Sequence, residues 1–359
     1  MTEENIISIK DFKLSFGDKK IIHGLSFNVK KGEVFGFLGS NGSGKTTTIR
    51  ALLGIYQADS GELLINGEKF SPEKVGAIGY LPEERGLYKK EKVIDVMQYF
   101  GQLKGLSRKE AREFSQKYLK RVGLEDKANS NIDKLSGGQQ QKIQLGITIM
   151  GKPELLILDE PTKGFDPVNR ELLMDIIKEE NARGATIMMV THQMEEVEKI
   201  CDRALLLKNG RMKAYGTVDE LRNKFGEQRI ILGFVGELPK SDKFGIIKEE
   251  TNYAELSLRA DSQEILKELV SKDLQIISFK VQKSPLNETL LNIYGEENEV
   301  ENEVKNVYSR NSSKARNLTR TKKANFLDCN FCDSCNLWCN VYVWSNFWIA
   351  SKRKSGKII

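Results

Sequence analysis

The stretch Val34-Phe35-Gly36-Phe37-Leu38-Gly39-Ser40-Asn41-Gly42-Ser43-Gly44-Lys45-Thr46-Thr47 constrains this chain more than any other. A short apolar run passes through a glycine-rich loop into a helix expected over residues 45–53, with Gly54 as its C′ residue. Glycine tolerates backbone angles that other residues resist, so successive N–H groups of such a loop can curl around an anion. The helix N-terminus adds partial positive charge at the same place. Lys45 would reach the β- and γ-phosphates of a nucleotide, and Thr46 would ligate Mg²⁺.

The rest of the chain repeats the strand–helix alternation. Alternating apolar residues over 7–16 and 21–29, with Gly17-Asp18 between, read as antiparallel β, and Asn66-Gly67 reads as a hairpin turn within 62–70. From 87 to 150 the pattern is helical, with a capping box at Ser107 and Glu110 and a further helix from Gln139. Buried strands are expected at 155–158 and 185–190, with an intervening helix opened by Asp166 as N-cap and Pro167 at its first position. Asn209-Gly210 turns between 204–208 and 211–215, and a helix capped by Thr217 and Glu220 ends at Gly226. This alternation predicts an α/β fold, a parallel sheet with helices on both faces and an antiparallel β layer at its start. A smaller αβ unit follows over 229–295, with strands at 255–259 and 276–281 and a helix at 263–270 between them.

Composition excludes several classes. No run of 18 apolar residues occurs, so no helix here is expected to span a membrane. The formal charge of +6 suggests nucleic acid until it is mapped. From Lys305 onward there are eleven Lys or Arg against two Asp, a net of +9, which leaves residues 1–304 at about −3. No nucleic-acid partner is expected of that body. Cys201 is the single cysteine before residue 329, as in a reducing compartment.

Two further segments carry chemistry. Leu155-Leu156-Ile157-Leu158-Asp159-Glu160 is a buried strand that delivers carboxylates at its C-terminal edge, where open α/β sheets bind ligands. Asp159 would hold Mg²⁺, and Glu160 would orient and polarise a water for in-line attack on a γ-phosphate. Leu135-Ser136-Gly137-Gly138-Gln139 sets paired glycines after a serine, so that backbone and hydroxyl can approach a phosphate closely.

Together these segments resemble the ATP-binding cassette ATPases, whose defining motif is that pentapeptide. Ser136 lies 90 residues after Thr46 and 23 before Asp159, spacing that fits the family. The resemblance implies a P-loop NTPase fold of this type over residues 1–225, with its helical subdomain at about 87–150 and the αβ accessory unit after it. It implies ATP held by Phe16 and by Gly39, Ser40, Asn41, Gly42, Ser43, Gly44, Lys45, Thr46 and Thr47. Phe16 matches the aromatic that stacks on adenine, although it also suits a plain hairpin position. Catalysis would rest on Glu160, His192 and Lys45, with His192 as the switch histidine at the γ-phosphate. Gly164-Phe165-Asp166-Pro167 matches the loop that couples two sites across a dimer, and the 135–139 loop would face the ATP of the other subunit.

One position departs from the family pattern. Where a Gln normally touches Mg²⁺ and the attacking water, Tyr80-Leu81-Pro82-Glu83-Glu84 supplies Glu83. A carboxylate can ligate Mg²⁺ beside Thr46 and Asp159, but it adds negative charge and cannot donate a hydrogen bond. That loop and the accessory unit resemble ATP-binding subunits of bacterial sodium-efflux and drug-resistance exporters. Such subunits form a homodimer or cassette heterodimer on an integral membrane permease, peripheral on the cytoplasmic face. The alternative is a soluble cassette ATPase acting on ribosomes or nucleic acid. Cassette proteins of the ribosomal kind usually carry two motif sets, and the repair ATPases place a coiled coil between residues equivalent to 46 and 136.

Residues 305–359 read differently. They hold all three Trp, and Cys329, Cys332, Cys335 and Cys339 in the spacing of an iron–sulfur ligand run. The usual following Pro is replaced by Asn340, so no cluster is expected. A frameshift or readthrough near residue 305 would produce so abrupt a change of composition.

Overall fold

The computed structural model describes residues 4–71, 76–84, 86–272 and 274–284. The chain forms two compact units that part between Gly216 and Thr217.

The first unit is built on two sheets. Strands β1 (Asn5–Phe16), β2 (Lys19–Lys30) and β4 (Ser60–Ile65) form an antiparallel layer in the order β2-β1-β4. The second sheet contains β3 (Val34–Gly39), β5 (Ile78–Leu81), β6 (Leu155–Asp159), β7 (Thr186–Thr191), β8 (Arg203–Lys208) and β9 (Arg211–Thr217). Its order is β5-β6-β7-β3-β8-β9, with β3 paired in parallel to both β7 and β8. Every residue of β3, β6 and β7 is buried, which is why these strands read as continuous apolar runs rather than alternating ones. Phe12, Phe27, Phe35 and Phe37 anchor a core shared by both sheets, and the Phe27 and Phe35 rings stack at 5.6 Å. Burying one such ring fully contributes about 2–3 kcal/mol.

Helix α1 (Lys45–Leu52) leaves the loop after β3, and Gly54 follows it at φ 68°. The helical segment consists of α2 (Val93–Leu103), α3 (Arg108–Arg121) and α4 (Gly137–Ile149). Ser107 and Glu110 cap α3 reciprocally, as expected. Helix α4 begins earlier than the residue 139 read from the sequence, because Ser136 and Gln139 form a second capping box around the two glycines. Gly146 of α4 lies under the Tyr118 ring, where an added Cβ would sit 2.4 Å from the ring, so only glycine fits. Helix α5 (Pro167–Ala182) opens with Asp166 accepting from Asn169 N at 3.0 Å, and α6 (Met194–Ile200) follows β7.

Some local expectations shift. The Asn66-Gly67 turn forms with both residues at positive φ, but its return arm is a single bridge from Ile65 to Glu68 rather than a strand. Strand β4 finds its partner in β1 instead, from Ile7–Ile65 to Lys13–Ser60, where its apolar side chains are covered.

The second unit starts with α7 (Val218–Phe225), capped by Thr217 and Glu220. The sequence reading ended the first domain at residue 225, after this helix. The unit boundary falls before it, because Lys283 Nζ donates to the Asn223 and Gly226 carbonyls and Ser284 Oγ accepts from Glu227 N. An antiparallel sheet β11-β12-β10-β13 then forms from β10 (Gln228–Val235), β11 (Phe244–Glu250), β12 (Tyr253–Leu258) and β13 (Gln275–Lys283). Helix α8 (Ser262–Ser271) buries Ile265 and Leu269 against Ile230, Leu232, Phe234, Ala254 and Leu256. Strands β10 and β11 had not been anticipated, although the alternation Ile230, Leu232, Phe234 was there to be read. Residues 285–295 of the expected accessory unit, and all expectations for 305–359 including the four-cysteine run, lie outside the described residues. Among the described residues no helix is long and apolar enough to cross a membrane.

Candidate functional site

The candidate site gathers at the C-terminal ends of β3, β6 and β7, adjacent strands of the parallel sheet. The loop 39–44 is folded by close approach. A Cβ on Gly39 would meet Leu207 O and Ser43 Oγ at 2.5 Å each, and Gly42 and Gly44 take φ of 77° and 106°. Ser43 N donates to Ser40 O at 3.1 Å, and Gly210 N donates to Ser43 O at 2.9 Å, tying the loop to the turn after β8. Lys45, buried at the start of α1, donates Nζ to Gly39 O at 2.7 Å and Ser40 O at 3.1 Å. Burial lowers its pKa from the usual lysine value, against the pull of Glu160, Asp159 and Glu83. Thr47 follows Thr46 in the first turn of the same helix.

The carboxylates stand beside this loop. Thr46 Oγ1 donates to Asp159 Oδ2 at 3.0 Å, joining α1 to the end of β6 across 113 residues of sequence. Asp159 is 1% exposed, and burial pushes its carboxyl up to about 7, with Thr46 opposing and the charges of Glu83 and Glu160 adding to the rise. Glu160 is 4% exposed and sits at φ 50°, a conformation that costs a non-glycine residue roughly 1 kcal/mol or more. Its N–H is fixed on Val190 O at 2.8 Å, which holds the strained residue in line with β7. His192, just past β7, places Nδ1 2.8 Å from Glu160 Oε1. Three buried oxygens here, Ser43 Oγ, Asp159 Oδ1 and Glu160 Oε2, have no hydrogen-bond partner. Unpartnered buried oxygens at a helix N-terminus suit a ligand with hard cations and phosphate groups.

Glu83 brings its negative charge to bear on Asp159, and Lys163 Nζ donates to Glu83 Oε1 at 2.6 Å. Lys163 lies 80 residues from Glu83, so no local pattern marks the pair. The neighbouring Glu84 is engaged elsewhere, its carbonyl accepting from Gln144 Nε2 at 3.1 Å and its carboxylate 3.7 Å from Arg50.

Three other expected parts of the site, seven residues in all, make different contacts. Phe16, at the end of β1, is 48% exposed and meets the Tyr56 ring edge-on at 5.2 Å. Leu135, Ser136, Gly137, Gly138 and Gln139 form the start of α4, with Gly138 close enough to Phe165 that a Cβ would come within 3.1 Å of its ring. Asp166 is spent as N-cap of α5.

Residues 22–163 match the family model described as ABC transporter, and residues 216–292 match the one described as ATP-binding protein DrrA1-3-like, C-terminal domain. An uncharacterized ABC transporter ATP-binding protein of Methanocaldococcus jannaschii is 40% identical over 278 residues, covering 77% of this chain and 95% of that protein. The linearmycin resistance ATP-binding protein LnrL of Bacillus subtilis is 34% identical over 306 residues, 81% of this chain and 98% of that one. A solved ATP-binding subunit of an ABC transporter superposes with a TM-score of 0.58 at 31% identity, covering 61% of this chain and 93% of the other.

Proposed function

We propose a residue-level mechanism on one premise: this chain belongs to the ATP-binding proteins of ABC transporters, ATPases that drive transport. The phosphates of ATP lie in the 39–47 loop, where Gly42 and Gly44 let the backbone N–H groups converge and Lys45 exchanges its carbonyl partners for β- and γ-phosphate oxygens. Phe16 offers its exposed face to the adenine. Thr46 and Asp159 would hold Mg²⁺, and Glu83, now paired with Lys163, would offer a further oxygen. The bound cation would neutralise charge building on the transferred group.

Glu160 orients the attacking water through Oε2 and takes its proton as the water adds to the γ-phosphorus. His192 steadies Glu160 by donating Nδ1–H to Oε1, so its Nε2 faces away from the carboxylate. The 135–139 loop closes over the ATP of a second copy or a partner cassette, with Ser136 and Gly138 nearest the γ-phosphate, and Asp166 links the two sites. The partner that uses this cycle is an integral membrane permease, with the chain peripheral on its cytoplasmic face. Linearmycin resistance in a relative covered over 98% of its length favours an exporter of drug or sodium-efflux type.

The observation that carries this reading is the pair Asp159 and Glu160, buried beside Thr46 with one oxygen each unpartnered. The test is Glu160→Gln in the full chain, followed by phosphate release and by size exclusion with Mg·ATP. Turnover should fall at least about a hundredfold while ATP binding persists and a dimer accumulates. Near-normal hydrolysis would remove Glu160 from the base role.

A further inference from the structure

Glu196 is a buried carboxylate that the mechanism above leaves unused. It lies in α6, four residues after His192, and is 2% exposed. Thr162 Oγ1 donates to its Oε1 at 2.5 Å, and Gln193 Nε2 donates to the same threonine hydroxyl at 3.4 Å. Arg170 Nε, in the first turn of α5, stands 3.7 Å from Oε1, a charge contact beyond hydrogen-bond reach. The second oxygen, Oε2, is buried with no hydrogen-bond partner. Burial raises its pKa above the usual carboxylate range, with Thr162 and Arg170 opposing.

A buried carboxylate is costly, so its partners show what holds it there. Thr162 sits two residues past Glu160, in the turn closed by Lys163 N to Glu160 O at 3.2 Å and Phe165 N to Thr162 O at 3.1 Å. Arg170 N is bonded to Asp166 O, so Arg170 belongs to the turn that Asp166 caps. Gln193 adjoins His192 and is held by its own N–H on Thr191 Oγ1 at 3.0 Å. One side chain therefore gathers the segment carrying Glu160, the loop carrying Asp166 and the segment carrying His192. Glu196 itself makes the contacts to Thr162 and Arg170, and Gln193 reaches the same Thr162 hydroxyl beside them.

We propose that Glu196 is a positioning residue for hydrolysis, holding Glu160, His192 and the Asp166 loop in one arrangement through Thr162 and Arg170. Its part is to hold other groups in place rather than to contact the reacting atoms. The proposal rests on the roles given to Glu160 and His192 above. A positioning role affects the chemical step more than nucleotide affinity, because the phosphate cradle at 39–47 is built from other elements. A purely structural role would lower the folded fraction while leaving turnover per folded molecule unchanged.

The experiment uses the full chain with Mg·ATP and compares Glu196→Ala, Glu196→Gln, Thr162→Val and the double variant Thr162→Val/Glu196→Ala, with Glu160→Gln as control. Folded fraction is measured by near-UV circular dichroism. For Glu196→Ala, kcat per folded molecule should fall about ten- to a hundredfold, the scale of a small misplacement of reacting groups, with KM within about threefold. Glu196→Gln keeps the oxygen that accepts from Thr162 and should recover most of the rate. Thr162→Val should resemble Glu196→Ala, and the double variant should be no worse than the poorer single one, because both interrupt one path. If Glu196→Ala cannot be folded, Thr162→Val and Glu196→Gln decide the matter by the same kcat criterion. A kcat for Thr162→Val or Glu196→Ala within about twofold of the parent overturns the proposal, as does multiplication of the losses in the double variant. If Glu160→Gln remains active, the underlying mechanism falls instead, which separates the two failures.

Discussion

The two compact units of this chain are built from the same materials but differ in how far they depart from relaxed geometry. In the first, the five non-glycine residues at positive φ include Glu160, and Ser43, Asp159, Glu160 and Glu196 each bury an oxygen without a hydrogen-bond partner. In the second, a single helix covers one face of an antiparallel sheet, and charges pair at its surface, as Lys243 does with Glu264 and Glu268. No non-glycine residue of that unit has positive φ among the described residues. Local conflict in a folded chain persists only where the surroundings enforce it, and it gathers where a ligand or a reaction will use it. Strained Glu160 and the unpartnered oxygens of Ser43, Asp159 and Glu160 lie together beside the C-terminal ends of β3 and β6, and all of them fall in the first unit.

The sharpest way to break this contrast is to place one methyl group in each unit. Gly39→Ala would drive a Cβ against Leu207 O and Ser43 Oγ, neither able to yield without disturbing the phosphate loop. Nucleotide titration should show at least about a hundredfold weaker ATP binding, on the scale of losing the backbone cradle. Gly245→Ala meets the Ser257 hydroxyl, which can rotate, and should leave ATP binding unchanged. Equal losses in both variants would erase the distinction.

Core truncations come next in size. Phe37→Ala and Phe234→Ala each empty a fully buried site and should cost about 3–5 kcal/mol. Thermal unfolding followed together with ATPase activity should separate them: the first abolishes hydrolysis, whereas the second loosens the C-terminal sheet and spares it. Lys163→Gln is smaller. It leaves Glu83 unbalanced near Asp159 and should weaken ATP binding about threefold to tenfold, and adding Glu83→Gln should restore it. A double variant as weak as the single one would show that the pair is incidental.

A pH effect on stability rather than binding comes from Lys104, whose Nζ donates to Ile147 O, Thr148 O and Met150 O at the end of α4. Burial lowers this ammonium to about 7, so between that value and the unfolded value of ~10.4 the folded chain binds fewer protons than the unfolded one. The contribution to stability is therefore present at high pH, shrinks as pH falls through that window and is lost below about 7. The melting temperature of the first unit should rise from pH 7 to pH 9, and Lys104→Met should flatten the rise. Smallest of all, Lys243→Ala should change stability by less than ~1 kcal/mol, since Lys243 itself is exposed and both its pairs are 3.7–3.8 Å apart.

Much of this molecule could be read from its amino acids alone. The phosphate loop, the buried strand ending in Asp159-Glu160, the caps at Ser107, Asp166 and Thr217 and the turns at Asn66-Gly67 and Asn209-Gly210 all depend on neighbours within a few residues. Such features are local, so hydrophobic period, glycine freedom and capping oxygen determine them wherever the chain goes next. The tertiary structure decided what links distant segments. It paired β4 with β1 rather than with its own hairpin arm, set the order β5-β6-β7-β3-β8-β9, and assigned α7 to the second unit. It also brought Lys163 to Glu83, across 80 residues, and Glu196 to Thr162, across 34. The reason is physical: a charge or hydroxyl carries no mark of its partner in sequence. The pairing emerges when burial of the sheet removes water and obliges each polar group to find what the fold has placed beside it.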